Sequence, residues 1–171
     1  NKGQGVAARL PAPARVLTAA HGLLGAGNVR LQADAMSVLL GAPDRSAAEP
    51  SQQRIAVAEA IEHEDYRAEG FDNDIALLRL ATPARLNDRV RIIDLATAAD
   101  DAAIAGPGTV ATVAGWGSVT DDGETTSSTL KQVNLTLLSN PDCAMTEFFS
   151  TRPTDNMICA LGPSEGGQDT C

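Results

Sequence analysis

The segment that decides the fold is Leu17–His21, which reads L-T-A-A-H, together with Asp74–Leu78, which reads D-I-A-L-L. The first ends a strand-like apolar run, and its two alanines leave room around the histidine ring. The second opens a stretch, Ile75–Leu80, that is apolar except at Arg79. This composition predicts a strand that is buried on both faces. The pattern therefore places a histidine after one strand and a carboxylate before another, 53 residues apart.

Other short strands surround these two segments. Leu130–Leu138 shows the clearest alternation of apolar and polar residues, which predicts a half-buried strand. Further strands are predicted at Ser37–Leu40, Arg54–Ile61 and Thr109–Ala114. Because Gly, Pro and Asp separate strands at close spacing, the pattern favours a β-barrel or a β-sandwich.

Helix signals are few. Asn140-Pro141-Asp142 supplies an N-cap, a proline at the first helical position and an early acid, so a short helix is predicted near 141–149. The segment Ala96–Ala105 is rich in Ala and Asp and could form a helix on propensity alone. Since Gly106-Pro107-Gly108 follows and apolar periodicity is weak, a linker is an equally good interpretation. We place a domain boundary there.

Composition and charge exclude several classes of function. The 171 residues are 43% hydrophobic and only 3% aromatic, so aliphatic side chains must fill the core. The formal net charge of −9 disfavours nucleic acid and anionic lipid as partners, and we interpret the acidity as a solvated surface. No apolar run reaches the length of a membrane span. Metal-ligand spacings such as H-E-x-x-H and C-x-x-C are also absent, so no metal or other cofactor is expected.

Two histidines compete for the role of a general base, which suits histidine because its reference pKa is near neutrality. His63 lies in the polar stretch E-H-E-D and is interpreted as a surface or structural residue. His21 lies among small residues after a strand and is the better candidate. Asp74 is the candidate carboxylate to orient it, although a strand-start aspartate can simply bind backbone N–H groups. Asp72 is a rival, because it shares a face with Asp74 if the segment is extended.

These motifs together resemble those of the trypsin/chymotrypsin-like serine proteases. The resemblance runs from about Val6 to Cys171 and includes G-W-G at 115–117 and G-G-Q-D-T-C at 166–171. It implies an all-β fold of two six-stranded antiparallel Greek-key barrels, with one short helix near 141–149. The implied domains are an N-terminal barrel over 1–97, a linker over 98–108 and a C-terminal barrel over 109–171. Both barrels are expected to be incomplete here, the first lacking its first strands and the second its last.

The resemblance also implies roles for individual residues. His21 corresponds to the general base of a Ser-His-Asp triad and Asp74 to the acid that orients it. Asp169 corresponds to the acid at the base of the primary specificity pocket, which implies cleavage after Arg or Lys. No serine of this chain stands in the nucleophile motif, so the serine is expected beyond Cys171, and these 171 residues alone lack the nucleophile. The family implies a secreted monomer that acts on polypeptides and is bound by protein protease inhibitors.

The three cysteines fit the same resemblance. Cys143 and Cys159 match a disulfide that closes the loop around the short helix, and Cys171 would bond a cysteine beyond the chain. Relatives also carry a disulfide beside the histidine, but here Gly22 and Val6 occupy its two positions. We therefore expect a more mobile histidine loop that remains active.

Two weaker signals stay open. Asp44 and Glu49 fall in a loop that binds calcium in some relatives, which is weak support for a calcium site. Asn134-Leu135-Thr136 is an N-glycosylation sequon, but it lies in the middle of a predicted strand.

Three interpretations of the whole chain compete. The first is a secreted serine endopeptidase of which this sequence is a part. The second is an inactive homologue that serves as a binding module, and the third is a proteolytic fragment whose serine lies on another piece. Retention of His21, Asp74 and Asp169 favours the first, because an inactive homologue is free to lose them.

Overall fold

A computed structural model of the chain describes residues 13–97, 106–120, 125–146 and 153–162. Its residues form two compact units. The first unit contains Asn1–Ala42 and Ala47–Leu95, and the second contains Pro43–Ser46 and Ala96–Cys171.

The first unit is built on a four-stranded antiparallel sheet. Its strands are β1 (Arg15–Thr18), β2 (Ser37–Leu40), β3 (Gln53–Glu62) and β4 (Ala76–Leu80), in the spatial order β1-β4-β3-β2. Three 3₁₀ turns lie between β1 and β2, at Ala20–Leu23, Ala26–Asn28 and Ala33–Ala35. The bounds of β2, β3 and β4 agree with the predicted strands Ser37–Leu40, Arg54–Ile61 and Ile75–Leu80 to within one residue, and β1 contains the strand-like run before His21.

Strand β4 is buried on one face rather than on both. Ala76, Leu78 and Leu80 are all less than 9% exposed, whereas Leu77 is half-buried and Arg79 is exposed. The Arg79 guanidinium instead donates to Glu59 on the neighbouring strand β3, at 2.9 Å. The sequence-based expectation of two buried faces was therefore wrong, because the outer face of β4 carries a cross-strand ion pair.

The core of the first unit lies on the inner face of this sheet. Val16, Leu23 and Val57 are almost completely buried there, and aliphatic side chains supply all of its fully buried members, as the scarcity of aromatics implied. Burial of each such side chain stabilises the fold by about 1.5–3 kcal/mol. Because strand β1 and the 3₁₀ turn after it both contribute to this cluster, the position of that turn is fixed by the core.

The second unit contains a three-stranded antiparallel sheet in the order β5-β6-β7. The strands are β5 (Val110–Gly115), β6 (Lys131–Leu138) and β7 (Cys159–Leu161). On β6, Leu135 and Leu137 are buried while Asn134 and Thr136 are exposed. The predicted half-buried strand is therefore confirmed.

A short stretch from the earlier part of the chain, Pro43–Ser46, is incorporated into the second unit. The Pro43 carbonyl accepts the backbone N–H of Leu130 at 2.7 Å and the indole N–H of Trp116 at 3.3 Å. The Arg45 guanidinium lies 5.7 Å from the centroid of the Trp116 ring and donates to the Ser127 carbonyl at 2.8 Å. Trp116 is half-buried in this arrangement, where it packs against Pro43 and Arg45.

A short α-helix, α1 (Asn140–Cys143), follows β6. Pro141 lies in its first turn, in line with the sequence signals, but the N-cap is Ser139 rather than the predicted Asn140, because the Ser139 hydroxyl accepts the backbone N–H of Asp142 and the helix begins one residue earlier. The helix is shorter than the predicted 141–149 and continues as a turn to Thr146, while 147–149 lie outside the described residues. A disulfide joins Cys143 to Cys159 on β7, which confirms the expected pairing.

The described residues are thus mostly β, with two curled antiparallel sheets that resemble half-barrels and only a minor helix. This architecture confirms the predicted fold class. The division into 1–97, 98–108 and 109–171 stays a prediction, because most of the proposed linker, 98–105, lies outside the described residues.

Candidate active site

The sheet of the first unit brings His21 and Asp74 to the same edge. Strands β1 and β4 are antiparallel neighbours, and Thr18 at the end of β1 pairs with Ala76 at the start of β4. His21 follows Thr18 by three residues and Asp74 precedes Ala76 by two. Because paired antiparallel strands begin and end at a common edge, the two side chains must leave the sheet side by side.

The 3₁₀ turn at Ala20–Leu23 directs the histidine outwards. Residues three apart in such a turn lie on one side of it. Ala20 is 0% exposed and Leu23 is 2% exposed, so that side faces the core. His21 lies on the opposite side, and its side chain is 56% exposed.

The loop before β4 holds Asp74. Asn73 adopts φ of 53° and its carbonyl accepts the N–H of Ile75 at 2.7 Å, so Asp74 sits at the centre of a tight three-residue turn. The Ile75 carbonyl in turn accepts the N–H of His63 at 3.1 Å. These backbone bonds fix the direction of the Asp74 carboxylate, which is 21% exposed.

His21 donates two hydrogen bonds to the Asp74 carboxylate. Its backbone N–H lies 2.8 Å from Oδ1, and its ring Nδ1 lies 2.6 Å from Oδ2. Since the carboxylate is an acceptor, Nδ1 carries the proton and Nε2 is left with its lone pair. The arrangement can accept a proton at Nε2 and stabilise the imidazolium that results.

Tyr66 lies close to this pair, and its hydroxyl is buried without a hydrogen-bond partner among the described residues. Burial raises the pKa of the Tyr66 hydroxyl above its ordinary value, and the charges of Asp74 and Glu62 raise it further. Glu62 is itself paired with Arg30 at 2.8 Å. The tyrosine is therefore a neutral neighbour of the carboxylate.

The structure separates the candidates that the sequence left open. Asp72 is not the carboxylate that contacts His21; its backbone carbonyl accepts the N–H of Arg67 at 3.0 Å. The other histidine, His63, accepts the backbone N–H of Asp65 at its Nδ1, at 3.2 Å, in an exposed loop. Asp169 and Cys171 lie outside the described residues.

Two further expectations from the sequence were a calcium site at Asp44 and Glu49 and a mobile histidine loop. The Asp44 carboxylate accepts both the backbone N–H and the hydroxyl of Ser46. Within the part of the chain that the structure describes, no three His, Cys, Asp or Glu residues are placed to hold a metal ion. Gly22 donates its N–H to the Ala19 carbonyl at 3.2 Å, and Val6 lies outside the described residues, so the mobility of the loop stays a prediction.

Sequence reasoning missed two neighbours of the site. Phe71 places its ring 5.8 Å from the His21 ring, with an angle of 80° between their planes. The sequence signal was a large apolar residue within the turn-forming stretch G-F-D-N at 70–73. Tyr66 carried no comparable signal, because nothing in its surrounding sequence shows which charges it meets.

Comparison with known proteins gives one consistent result. The family model described as Trypsin matches residues 4–171. Kallikrein-1 of Mus musculus is 36% identical over 167 residues, which cover 91% of this chain and 58% of that protein. Cationic trypsin-3 of Rattus norvegicus is 35% identical over 136 residues, or 80% of this chain and 52% of that protein. Tonin of Rattus norvegicus is 34% identical over 170 residues, or 93% of this chain and 59% of that protein.

The chain thus spans between half and three-fifths of the length of these relatives. No helix in the described ranges is long and apolar enough to cross a membrane. The matched family model extends over almost all of the 171 residues and includes both halves of the His21–Asp74 pair. The chain belongs to the trypsin family of serine proteases.

Proposed function

We propose that the complete protein is a secreted serine endopeptidase that hydrolyses peptide bonds after Arg or Lys. The observation that carries the proposal is the pair of hydrogen bonds from His21 to Asp74, at 2.8 and 2.6 Å, in a chain of the trypsin family. The protein would act on polypeptides as a monomer and would be a target for protein protease inhibitors. Nucleic acid, membranes and cofactors have no part in this function.

In the proposed mechanism, the nucleophile is a serine that follows Cys171 in the complete protein. His21 Nε2 takes the serine proton as the oxygen attacks the carbonyl carbon of the scissile bond. The imidazolium then gives this proton to the leaving amine, which departs and leaves an acyl-enzyme. In the second half, His21 takes a proton from water, the hydroxide attacks the ester, and the proton returns to the serine.

Asp74 has two roles in these steps. Its Oδ2 accepts the Nδ1 proton, which keeps Nε2 available as the acceptor in each half-reaction. Its negative charge also stabilises the imidazolium that forms in the transition state. The second bond, from the His21 backbone N–H to Oδ1, holds the carboxylate so that it cannot rotate away from the ring.

Asp169 is proposed to select the substrate. A carboxylate at the base of a pocket pairs with an Arg or Lys side chain by charge-assisted hydrogen bonds. The assignment rests on the motif G-G-Q-D-T-C at 166–171.

The test uses the full-length protein and a peptide library that varies the residue before the cleaved bond. We expect cleavage after Arg and Lys, near-complete loss of cleavage in His21→Ala, and unchanged cleavage in the matched control His63→Ala. Asp169→Ser should cleave with a preference shifted away from basic residues. An unaltered profile in Asp169→Ser would remove this residue from the pocket, and full activity in His21→Ala would overturn the mechanism.

A further inference from the structure

Phe71 adopts an unusual conformation beside the site. Its φ is 56°, in the left-handed region that large side chains avoid, and it is 55% exposed. A phenyl ring that gains little burial does not itself compensate for such a backbone conformation. Strained residues of this kind persist where the surrounding structure holds them, and they are concentrated at functional sites.

The surrounding loop supplies that constraint. Gly70 also has positive φ, at 82°, and the Arg67 N–H donates to the Asp72 carbonyl at 3.0 Å, which closes a tight turn around Phe71. The side-chain amide of Asn73 donates to the Asp65 carbonyl at 3.2 Å and ties the turn to the start of the loop. The turn therefore presents Phe71 from a fixed backbone.

The ring of Phe71 contacts the imidazole of His21 in an edge-to-face arrangement, with 5.8 Å between centroids and 80° between planes. Aromatic pairs favour this geometry because the positive edge of one ring meets the negative face of the other. Among the described contacts, Asp74 holds the imidazole at Nδ1, and the side chain is otherwise 56% exposed. The Phe71 ring is thus a second contact of the His21 imidazole, in addition to its hydrogen bond with Asp74.

We propose that Phe71 is a positioning residue for the proposed catalytic base: its ring holds the His21 imidazole in the orientation in which Nδ1 meets Asp74. The catalytic part of this inference rests on the proposed function, whereas the contact itself does not. The proposed effect of Phe71 on the reaction passes through its contact with His21.

The first measurement needs no turnover. These residues contain two histidines, and His63→Gln removes one of them. In the full-length protein labelled selectively at histidine, the signal that disappears in His21→Ala identifies His21. In this background, Phe71→Leu should change the ring-current shifts of the His21 C–H protons and lower the order parameter of the His21 ring. Phe71→Tyr, which keeps the ring, should preserve both. An unchanged order parameter in Phe71→Leu would overturn the proposal.

The second measurement uses the catalytic constants of the same variants. Loss of an edge-to-face contact should lower kcat by about 2- to 10-fold in Phe71→Leu, with little change in KM, and Phe71→Tyr should restore it. Phe71→Gly removes the ring and relieves the positive φ, so it should lose kcat without losing thermal stability. A rise in KM with unchanged kcat would contradict positioning and would mean that Phe71 only contacts substrate.

The two arms separate this inference from the proposed function. If the wild-type protein proves inactive towards peptides and towards fluorophosphonates, the proposed function fails, and the order parameter of His21 still decides whether Phe71 positions it. If the wild type is active and the order parameter and kcat are the same in Phe71→Leu, the proposed function stands and this inference fails.

Discussion

Asp74→Asn is the substitution that tests the geometry of the site most closely. An asparagine retains the shape of the aspartate but replaces one oxygen by an NH₂ donor. The backbone N–H of His21, 2.8 Å from Oδ1, can only donate, so it selects the amide orientation that keeps an oxygen on its side. The NH₂ group must then face Nδ1, which lies 2.6 Å from the other carboxylate oxygen.

This orientation reverses the tautomer of His21. Nδ1 must accept a hydrogen bond from the amide, so the ring proton moves to Nε2, and Nε2 can no longer take a proton from a serine. The corresponding change in serine proteases of this geometry lowers kcat by roughly 10⁴-fold. At about 1.36 kcal/mol for each tenfold change, this loss corresponds to about 5.4 kcal/mol of transition-state stabilisation.

The effect on folding should be much smaller. Asp74 is partly buried, with 21% of its side chain exposed, and the substitution replaces charge-assisted hydrogen bonds by neutral ones. Loss of a hydrogen bond to a charged group costs about 1.5–3 kcal/mol, which is an upper bound here because both replacement bonds can form. The protein should therefore remain folded while it loses activity.

The assay is the rate at which a fluorophosphonate labels the full-length protein, because this reaction reports serine activation whatever the side-chain preference. Asp72→Asn is the matched control. It also removes one negative charge, but from a carboxylate two residues earlier in the chain, whereas the His21 ring contacts Asp74. We expect a loss of several orders of magnitude in Asp74→Asn and a change of less than threefold in the control. Labelling of Asp74→Asn within tenfold of the wild-type rate would refute the tautomer argument.

Substitutions at three further places test stability. Tyr66→Phe removes a buried hydroxyl that has no partner among the described residues, so the free energy of unfolding should be equal or higher. The pKa of Tyr66 is raised from its ordinary value of 10.0, so the folded state favours the protonated hydroxyl. The wild type should therefore lose stability as the pH rises above about 10. Tyr66→Phe should lack this loss. Tyr66 is the single tyrosine of these 171 residues, and the difference in alkaline absorbance between the wild type and Tyr66→Phe reports its titration in the full-length protein. A midpoint at or below that of a free tyrosine would contradict the shift. Replacing both Cys143 and Cys159 by Ser should lower the free energy of unfolding by about 3 kcal/mol, measured by chemical denaturation. No change would show that the disulfide does not constrain the unfolded chain. Gly41→Ala should lower the melting temperature, because Gly41 has φ of 64° and a Cβ there would collide with the carbonyl of Ser51; an unchanged melting temperature would show that the turn adapts.

The fold class could be predicted because two short motifs carried it. L-T-A-A-H lies at the end of β1 and D-I-A-L-L at the start of β4. Because these two strands pair antiparallel, both motifs lie at the same edge of the sheet. The alternation at Leu130–Leu138 likewise identified β6, since burial of one face leaves a direct trace in the sequence.

Features that depend on contacts between distant residues could not be predicted. The apolar residues of β4 suggested two buried faces, but Arg79 finds its partner 20 residues away on β3. Arg45 lies in an ordinary loop sequence and packs against Trp116, 71 residues later. Phe71 was missed for the same reason, because G-F-D-N at 70–73 indicates a turn but does not show that the ring within it contacts His21, 50 residues earlier.

The most direct test of the central claim is the intact mass of the purified full-length protein before and after treatment with a fluorophosphonate, for the wild type and for His21→Ala. We expect a parent mass above the 17.7 kDa of these 171 residues, one covalent adduct on the wild type, and almost none on His21→Ala under the same conditions. Equal labelling of both proteins would contradict the assignment of His21 as the base. A larger mass that acquires no adduct would contradict an active serine in this protein and would indicate a zymogen or an inactive, binding-only homologue.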